Sequence, residues 1–329
     1  MKPETPPRNR ETIFRFLVAA LAILALLSSI VYMLYEIVTD INKTERLLLE
    51  AFLAEEKDVF TTVTEQTPPK TDPPENEEAS PLFRYSVSVD LSIGAPANGK
   101  HLQNSTSYQV DEKALDEFQF EKHLFDTRPM ILIYHTNPSE SYWKENETRV
   151  SVSHTFTSTL SEETVVSLGK TVTDVLSSAG IASIHMTDPV ADIEKTLAEY
   201  RLLYPSIRYC LDIRRDGIYT TDGRIVKSKG TLDGKAAAQL MLAVGCSDGT
   251  LSWQKNLAAA DRIADMMTSA EASMVRTTLL RPESLGQQDE TLHLTLFVGT
   301  TGNTHKEATA AARFFARYLA LFILSNCGV

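Results

Sequence analysis

The chain has 329 residues, a formal net charge of −11 and 43% hydrophobic residues. This length supports one sizeable domain with accessory segments or two small domains. The acidic balance argues against a nucleic-acid partner, because phosphate binding needs a basic face. Three widely spaced cysteines without a Cys-x-x-Cys pair exclude a zinc ribbon or a disulfide scaffold. Cys210 and Cys246 lie in apolar runs, which favours buried thiols over a disulfide.

The N-terminal region predicts a membrane anchor. Residues 16–35 carry no charge, and such a run is long enough to cross a bilayer as a helix. Arginines in residues 1–15 place that tail in the cytoplasm, so that everything after the anchor, residues 16–38, is extracytoplasmic. A cleaved signal peptide is the alternative, but its apolar core would be shorter and a small-x-small cleavage site should follow it. The predicted localisation is therefore a single-pass protein of the cell membrane.

Residues 39–80 are predicted to hold the rest of the chain away from the bilayer. A short juxtamembrane helix comes first, and an acidic, proline-rich stretch follows it. This stretch is too charged and too rich in proline to bury apolar surface, which predicts an extended, disordered tether. A folded head domain is expected over residues 81–329.

The head begins with an alternating pattern over residues 82–92, typical of a half-buried strand. Residues 93–128 are interpreted as loop with a short helix near 112–125. The short, unbroken apolar run 130–134 is typical of a strand buried on both faces in a parallel sheet. Capping boxes at 159–162 and 304–307 predict the starts of two helices.

Strands and helices alternate through the rest of the head. Further strands are predicted at 181–185, 207–213, 236–244 and 292–298, further helices at 188–203 and 253–270, and a loop or hairpin at 217–234. This alternation predicts one α/β domain with a doubly wound, mostly parallel sheet flanked by helices.

Polar residues follow three of the predicted strands. In such sheets the carboxyl edge is where ligands bind, so these residues are candidates for a site. After the first strand come His135, Asn137 and Glu140, and after a later one come Asp212, Arg214, Arg215 and Asp216. Residues 137–139 are equally explained as a plain turn that ends the strand.

These strand ends resemble a known family. The run ILIYHTNPSE at 131–140 is similar to a His-Thr-His-x-x-Glu motif that follows an Ile-Leu-Ile-Tyr strand. The run DIRRD at 212–216 is similar to Asp-Ile-His-Arg-Asp, and FVG at 297–299 with an Asn-Thr pair at 303–304 is similar to a Glu-Val-Gly strand end. Together with the anchor, tether and distal domain, these motifs resemble the stage II sporulation protein P family, whose domain is similar to zinc N-acetylmuramoyl-L-alanine amidases.

The resemblance implies zinc held by His, Glu and His, with a later Glu as general base, and a catalytic zinc needs about three such ligands and an open position. In this chain Asn137, Arg214 and Phe297 stand where a His, a His and the Glu are expected, and Glu140 remains. An arginine side chain keeps its proton and has no lone pair for a metal. No cofactor is therefore expected, and no catalytic residue is assigned, since Phe297 occupies the Glu position.

The predicted pocket consists of Asn137, Asp212, Arg214, Arg215 and Asp216. Arg214 is expected to pair with Glu140 or Asp216, because a buried carboxylate needs a partner.

The leading hypothesis is a membrane-anchored pseudoenzyme of the cell wall. The resemblance implies peptidoglycan or its stem peptides, and other membrane proteins of sporulation and engulfment, as partners. The first alternative is an active amidase with a rearranged zinc site, in which His135, Glu140 and His154 are ligands and Asp212 or Asp216 is the base. The second alternative is a structural tether without enzymatic activity.

Overall fold

The computed structural model describes residues 83–92, 101–246, 253–283 and 291–328. The predicted anchor and tether lie outside these described residues. The described strands are β1 (Phe83–Arg84), β2 (Ser86–Val89), β3 (Leu102–Asn104), β4 (His123–Leu124), β5 (Ile131–Tyr134), β6 (Val150–Ser151), β7 (Ser183–His185), β8 (Tyr209–Asp216), β9 (Ile225–Ser228), β10 (Gly230–Leu232), β11 (Lys235–Ala237), β12 (Leu240–Gly245), β13 (Thr278–Arg281), β14 (Leu292–Thr300) and β15 (Cys327–Gly328). The described α-helices are α1 (Glu112–Asp116), α2 (Val165–Ser178), α3 (Ile193–Leu203), α4 (Trp253–Ala270) and α5 (His305–Ser325).

A seven-stranded sheet organises the domain, with the strand order β3-β13-β12-β14-β8-β5-β7. Each neighbouring pair is parallel except β12 and β14, which are antiparallel. The sheet is therefore mixed, and the predicted α/β class with mostly parallel pairing is confirmed. The single reversal makes β12, β13 and β3 run opposite to the other four strands.

β5 lies between β7 and β8, and all four of its residues are buried. Successive side chains of a strand point to opposite faces, so this burial requires cover on both sides. On one face Leu132 and Tyr134 pack with Leu197 of α3. On the other face Gly169 of α2 lies directly against the ring of His135. Helices on both faces explain the unbroken apolar run.

One of the two predicted capping boxes is confirmed. The Thr304 side chain accepts a hydrogen bond from Glu307 N, and the Glu307 carboxylate accepts one from Thr304 N. The predicted box at 159–162 is wrong. Residues Ser161–Glu163 form a 3₁₀ turn, and Thr164 caps α2. The helix begins there because Val165 and Val166 are the first of its residues to be buried in the core.

Two strands of the main sheet were not predicted. β3 lies in the region predicted as loop, and β13 lies where the sequence pattern predicts no strand. Residues 217–234, predicted as loop or hairpin, contain β9 and β10, and β10 pairs with β11 across the Asp233-Gly234 turn. β11 takes the first residues of the strand predicted at 236–244, so the main-sheet strand β12 begins only at Leu240. Both turn residues have positive φ, which is the conformation that tight hairpin turns require.

Cys210 and Cys246 are buried thiols, as predicted. Among the described residues, α5 is the helix long and apolar enough to cross a membrane by length and composition. Its residues Ala311, Phe315 and Leu319 are buried, and the helix packs against α2 and α4. In the described domain α5 is therefore a core helix.

Candidate functional site

The turn after β5 brings Glu140 to the carboxyl edge of the sheet. Glu140 N donates a hydrogen bond to Asn137 O at 3.2 Å, which closes the turn. Val165 N donates to Glu140 O at 3.0 Å, which ties the turn to the start of α2. The Glu140 Oε2 atom accepts a hydrogen bond from Arg215 N at 2.9 Å. Three predicted site residues, Asn137, Glu140 and Arg215, therefore meet at one edge.

Asp212 is the buried anion of this edge. Its side chain is fully buried, and it accepts hydrogen bonds from Thr136 N at 3.0 Å and from Thr136 Oγ1 at 2.7 Å. Arg214 Nε donates to the same carboxylate, and Arg214 Nη2 donates to Thr136 Oγ1 at 2.7 Å. The expectation that Arg214 pairs with Glu140 or Asp216 is therefore wrong. β8 continues to Asp216, so residues 212 and 214 share one face of the strand and pair with each other.

Asp216 pairs instead with a residue that the sequence did not indicate. Arg276 Nη2 donates to Asp216 Oδ2 at 2.9 Å. Arg276 lies just before β13, and its N–H donates to Leu240 O at 2.8 Å. Because β13 was not predicted, nothing in the sequence pattern placed this arginine at the site.

Phe297 lies beside Arg214 in the sheet, since the two residues are register partners in β14 and β8. The Phe297 ring packs with Met241, Ala243 and Leu279 and is 8% exposed. The sheet therefore places Phe297 next to the cation, as the motif order implied. The ring is part of an apolar surface that extends across β12 and β13.

The His135 side chain points away from this surface into the interface with α2. His135 Nδ1 donates to Ile213 O at 3.0 Å, which leaves Nε2 as the acceptor of a 2.8 Å hydrogen bond from His185 Nε2. Burial lowers the pKa of both His135 and His185 to about 4, so both rings are neutral at pH 7. His154 packs edge to face on Phe156, with the ring centroids 4.4 Å apart.

These contacts allow a test of whether the side chains fit a zinc ion. Both nitrogens of His135 are engaged by protein partners. Among the described residues, the three-residue group of His, Cys, Asp or Glu whose ligand atoms lie within 4.8 Å of one another is Asp116, Asp261 and Asp265. That group contains none of the residues of the predicted ligand set. The arrangement at the strand ends therefore does not fit a three-ligand zinc centre.

The chemistry that this edge can support follows from its charges. Burial raises the pKa of Glu140, and the N–H and the charge of Arg215 oppose that rise. Arg215 Nη1 donates to Thr301 Oγ1, which fixes the side chain beside β14. Arg214, anchored on Asp212, and Arg215, anchored on Thr301, are suited to binding an anionic ligand rather than to moving protons.

A sequence model described as Stage II sporulation protein P (SpoIIP) matches residues 49–320. Comparison with curated proteins gives no match. Several solved structures are similar to the chain, and three of them are described below. N-acetylmuramoyl-L-alanine amidase AmiC2 of Nostoc punctiforme has 11% identity and a TM-score of 0.36, and the match covers 60% of this chain and 96% of that one.

For the amidase Ami1 from Mycobacterium smegmatis the identity is 12% and the TM-score 0.38, and the match covers 61% of this chain and 100% of that one. For the CwlD amidase from Clostridioides difficile, in complex with the GerS lipoprotein, the identity is 8% and the TM-score 0.36, with 60% and 98% covered.

Proposed function

The chain belongs to the stage II sporulation protein P family, and from that premise we propose that it acts at the cell wall as a peptidoglycan-binding protein without zinc-dependent hydrolysis. The observation that carries the proposal is the pair of register neighbours Arg214 and Phe297. At these two positions the family pattern has an imidazole and a carboxylate. Here a guanidinium and an apolar ring stand side by side.

The contacts of Arg214 support a structural role for its guanidinium group. It is tied to a fully buried carboxylate, Asp212, and to Thr136. A cation in this place repels a divalent metal ion, and it cannot act as a ligand. Phe297 cannot accept a proton. The retained Glu140 carboxylate accepts one hydrogen bond, from Arg215 N, on Oε2. With Arg214 and Phe297 at the other two positions, this edge is suited to holding a ligand rather than cleaving one.

The proposal includes the membrane arrangement that the sequence predicts. Residues 16–38 anchor the chain, residues 39–80 span the gap, and the head faces the wall. Peptidoglycan or its stem peptides are the proposed ligands, and other membrane proteins of sporulation and engulfment are the proposed protein partners.

Purified sacculi test wall binding directly. The full-length chain in detergent is incubated with sacculi and sedimented, and both the retained protein and the released soluble muropeptides are measured. We expect retention without release beyond that of a heat-inactivated sample. Absence of retention would favour the structural tether, and zinc-dependent release of muropeptides would overturn the proposal.

A restored ligand set tests why hydrolysis is absent. The variant combines Asn137→His, Arg214→His and Phe297→Glu, and Arg224→His serves as a control at an exposed arginine. Calorimetry should show no stoichiometric zinc binding by the natural chain or by the control. We expect zinc binding to be gained in the triple variant only. Tight zinc binding by the natural chain would contradict the proposal.

A further inference from the structure

A cleft of about 330 Å³ opens on the face of the sheet that carries Phe297. Phe297, Met241 and Leu279 provide its apolar floor, and the first two are register partners in β14 and β12. Asp216, Arg276 and Arg281 line its polar side. The cleft therefore combines an apolar surface with two guanidinium groups and one carboxylate.

Arg276 is held with part of its donor capacity unused. The residue is 9% exposed, and its Nη2 atom is bonded to Asp216 Oδ2 at 2.9 Å. Asp216 is itself fixed, since its Oδ1 accepts from Gly217 N at 2.8 Å. The Nη1 atom of Arg276 is buried and has no hydrogen-bond partner within the described part of the chain. A buried donor without a partner destabilises the structure unless an acceptor reaches it.

Thr277, the next residue in the chain, also has a buried donor without a partner among the described residues. Thr277 also lines the cleft, and its Oγ1 atom is buried without a hydrogen-bond partner among the described side chains and backbone. Two adjacent lining residues of the cleft thus each hold a buried donor without a partner among the described residues. Both types of donor bind carboxylate oxygens, and a guanidinium does so with strong directionality.

The two arginines of the cleft are balanced by carboxylates, since Arg276 pairs with Asp216 and Arg281 lies 3.6 Å from Glu283. Two unused donors without an excess of positive charge suit a single carboxylate group better than a doubly charged phosphate. The volume fits a molecule the size of a dipeptide, since the smallest ligand pockets have volumes of roughly 300 Å³. The floor formed by Met241, Leu279 and Phe297 suits small apolar side chains.

We propose that this cleft binds the free C-terminal carboxylate of a short peptide. Arg276 Nη1 and Thr277 Oγ1 donate to the carboxylate, and the last side chains of the peptide lie on the apolar floor. The two donors lie outside the family motifs, whereas Asp216 and Phe297 of those motifs also line the cleft. The carboxylate site goes beyond the proposed wall binding by naming the group that is recognised.

Calorimetry on the full-length chain with matched small probes tests the inference. The probes are N-acetyl-D-alanyl-D-alanine and its C-terminal amide, which differ in the charge and hydrogen bonding of one group. We expect the acid to bind at least about 10-fold more tightly than the amide. Equal binding of the two, or no binding of either, would overturn the inference. The L,L acid is the third probe. A preference for the D,D acid assigns the ligand to stem peptides, and a preference for the L,L acid assigns it to the C-termini of proteins.

Two substitutions locate the site. Thr277→Val removes a hydroxyl that has no partner, so the fold is retained, and binding of the acid should weaken about 5-fold. Arg276→Gln should weaken it by at least about 10-fold. The control is Arg224→Gln, which changes an arginine whose exposed ion pair with Asp222 lies outside the cleft. Unchanged binding in Thr277→Val would contradict the donor assignment.

The outcomes separate this inference from the proposed function. Retention on sacculi without binding of the acid probe overturns the carboxylate site and leaves wall binding intact. Binding of the acid probe without retention on sacculi overturns the proposed wall binding and leaves the carboxylate site intact.

Discussion

Removal of Arg214 tests most directly whether its guanidinium has the structural role proposed above. The change is Arg214→Met, which keeps much of the aliphatic volume and deletes the guanidinium. Arg214 is 19% exposed in its side chain, whereas the Asp212 side chain is fully buried. The variant therefore leaves a buried carboxylate without its cation.

The size of the effect follows from what Asp212 keeps. Breaking a buried ion pair by removing one partner costs about 3–5 kcal/mol. Thr136 still donates two hydrogen bonds to Asp212, so we place the loss at the lower limit, about 3 kcal/mol. For a domain of this size that loss lowers the melting temperature by roughly 6–12 °C.

Urea unfolding followed by tryptophan fluorescence measures this loss, because Trp143 and Trp253 are both largely buried in the head domain. Arg224→Met is the matched control. Its ion pair with Asp222 has side chains 50% and 55% exposed, and exposed pairs contribute about 1 kcal/mol or less. If Arg214→Met were as stable as the control, Arg214 would not be needed to hold Asp212, and the structural role assigned to it would be refuted.

Three further predictions concern packing, pH and the anchor. Gly169→Ala places a Cβ atom 2.3 Å from His185 Nε2 and 2.7 Å from His135 Nε2, so urea unfolding should show a loss of about 1–2 kcal/mol after a gain in helix propensity. Gly217→Ala, whose Cβ has its nearest neighbour at 3.9 Å, should change stability by less than about 0.5 kcal/mol. The pKa values of His135 and His185 fall from 6.5 to about 4 on folding. As the pH is lowered, these two side chains therefore bind protons in the unfolded chain at a higher pH than in the folded chain. Their contribution to stability is complete above pH 6.5 and is lost as the pH falls towards 4, and urea midpoints independent of pH over this range would contradict it. Residues 16–38 should keep the chain in the membrane fraction through alkaline carbonate extraction, and release into the supernatant would exclude an integral anchor.

Local patterns predicted the parts of the fold that local forces determine. β5 was predicted because helices cover both of its faces, which leaves an unbroken apolar run in the sequence. The Thr304 capping box was predicted because both of its hydrogen bonds lie within four residues. The sequence pattern does not predict β3, because its residues are half-buried or exposed at the edge of the sheet. An edge strand of this kind needs no apolar run.

The site was predicted less completely because its contacts depend on where the strands end. The sequence placed the end of β8 near Ile213, whereas the strand continues to Asp216. That extension aligns Asp212 with Arg214 and explains their pairing. Arg276 lies just before β13, 60 residues away from Asp216 along the chain, and it could not be associated with Asp216 before the topology was known.

The antiparallel pairing of β12 with β14 has a consequence for how this site can change in evolution. The motif residues come from the ends of β5, β8 and β14, whereas Met241 and Arg276 come from the beginning of β12 and the approach to β13. One wall of the cleft is thus formed by residues that lie outside the hydrolytic motifs in the sequence. A change at motif position 297 therefore also reshapes the cleft, because Phe297 packs on Met241 and supplies part of the floor.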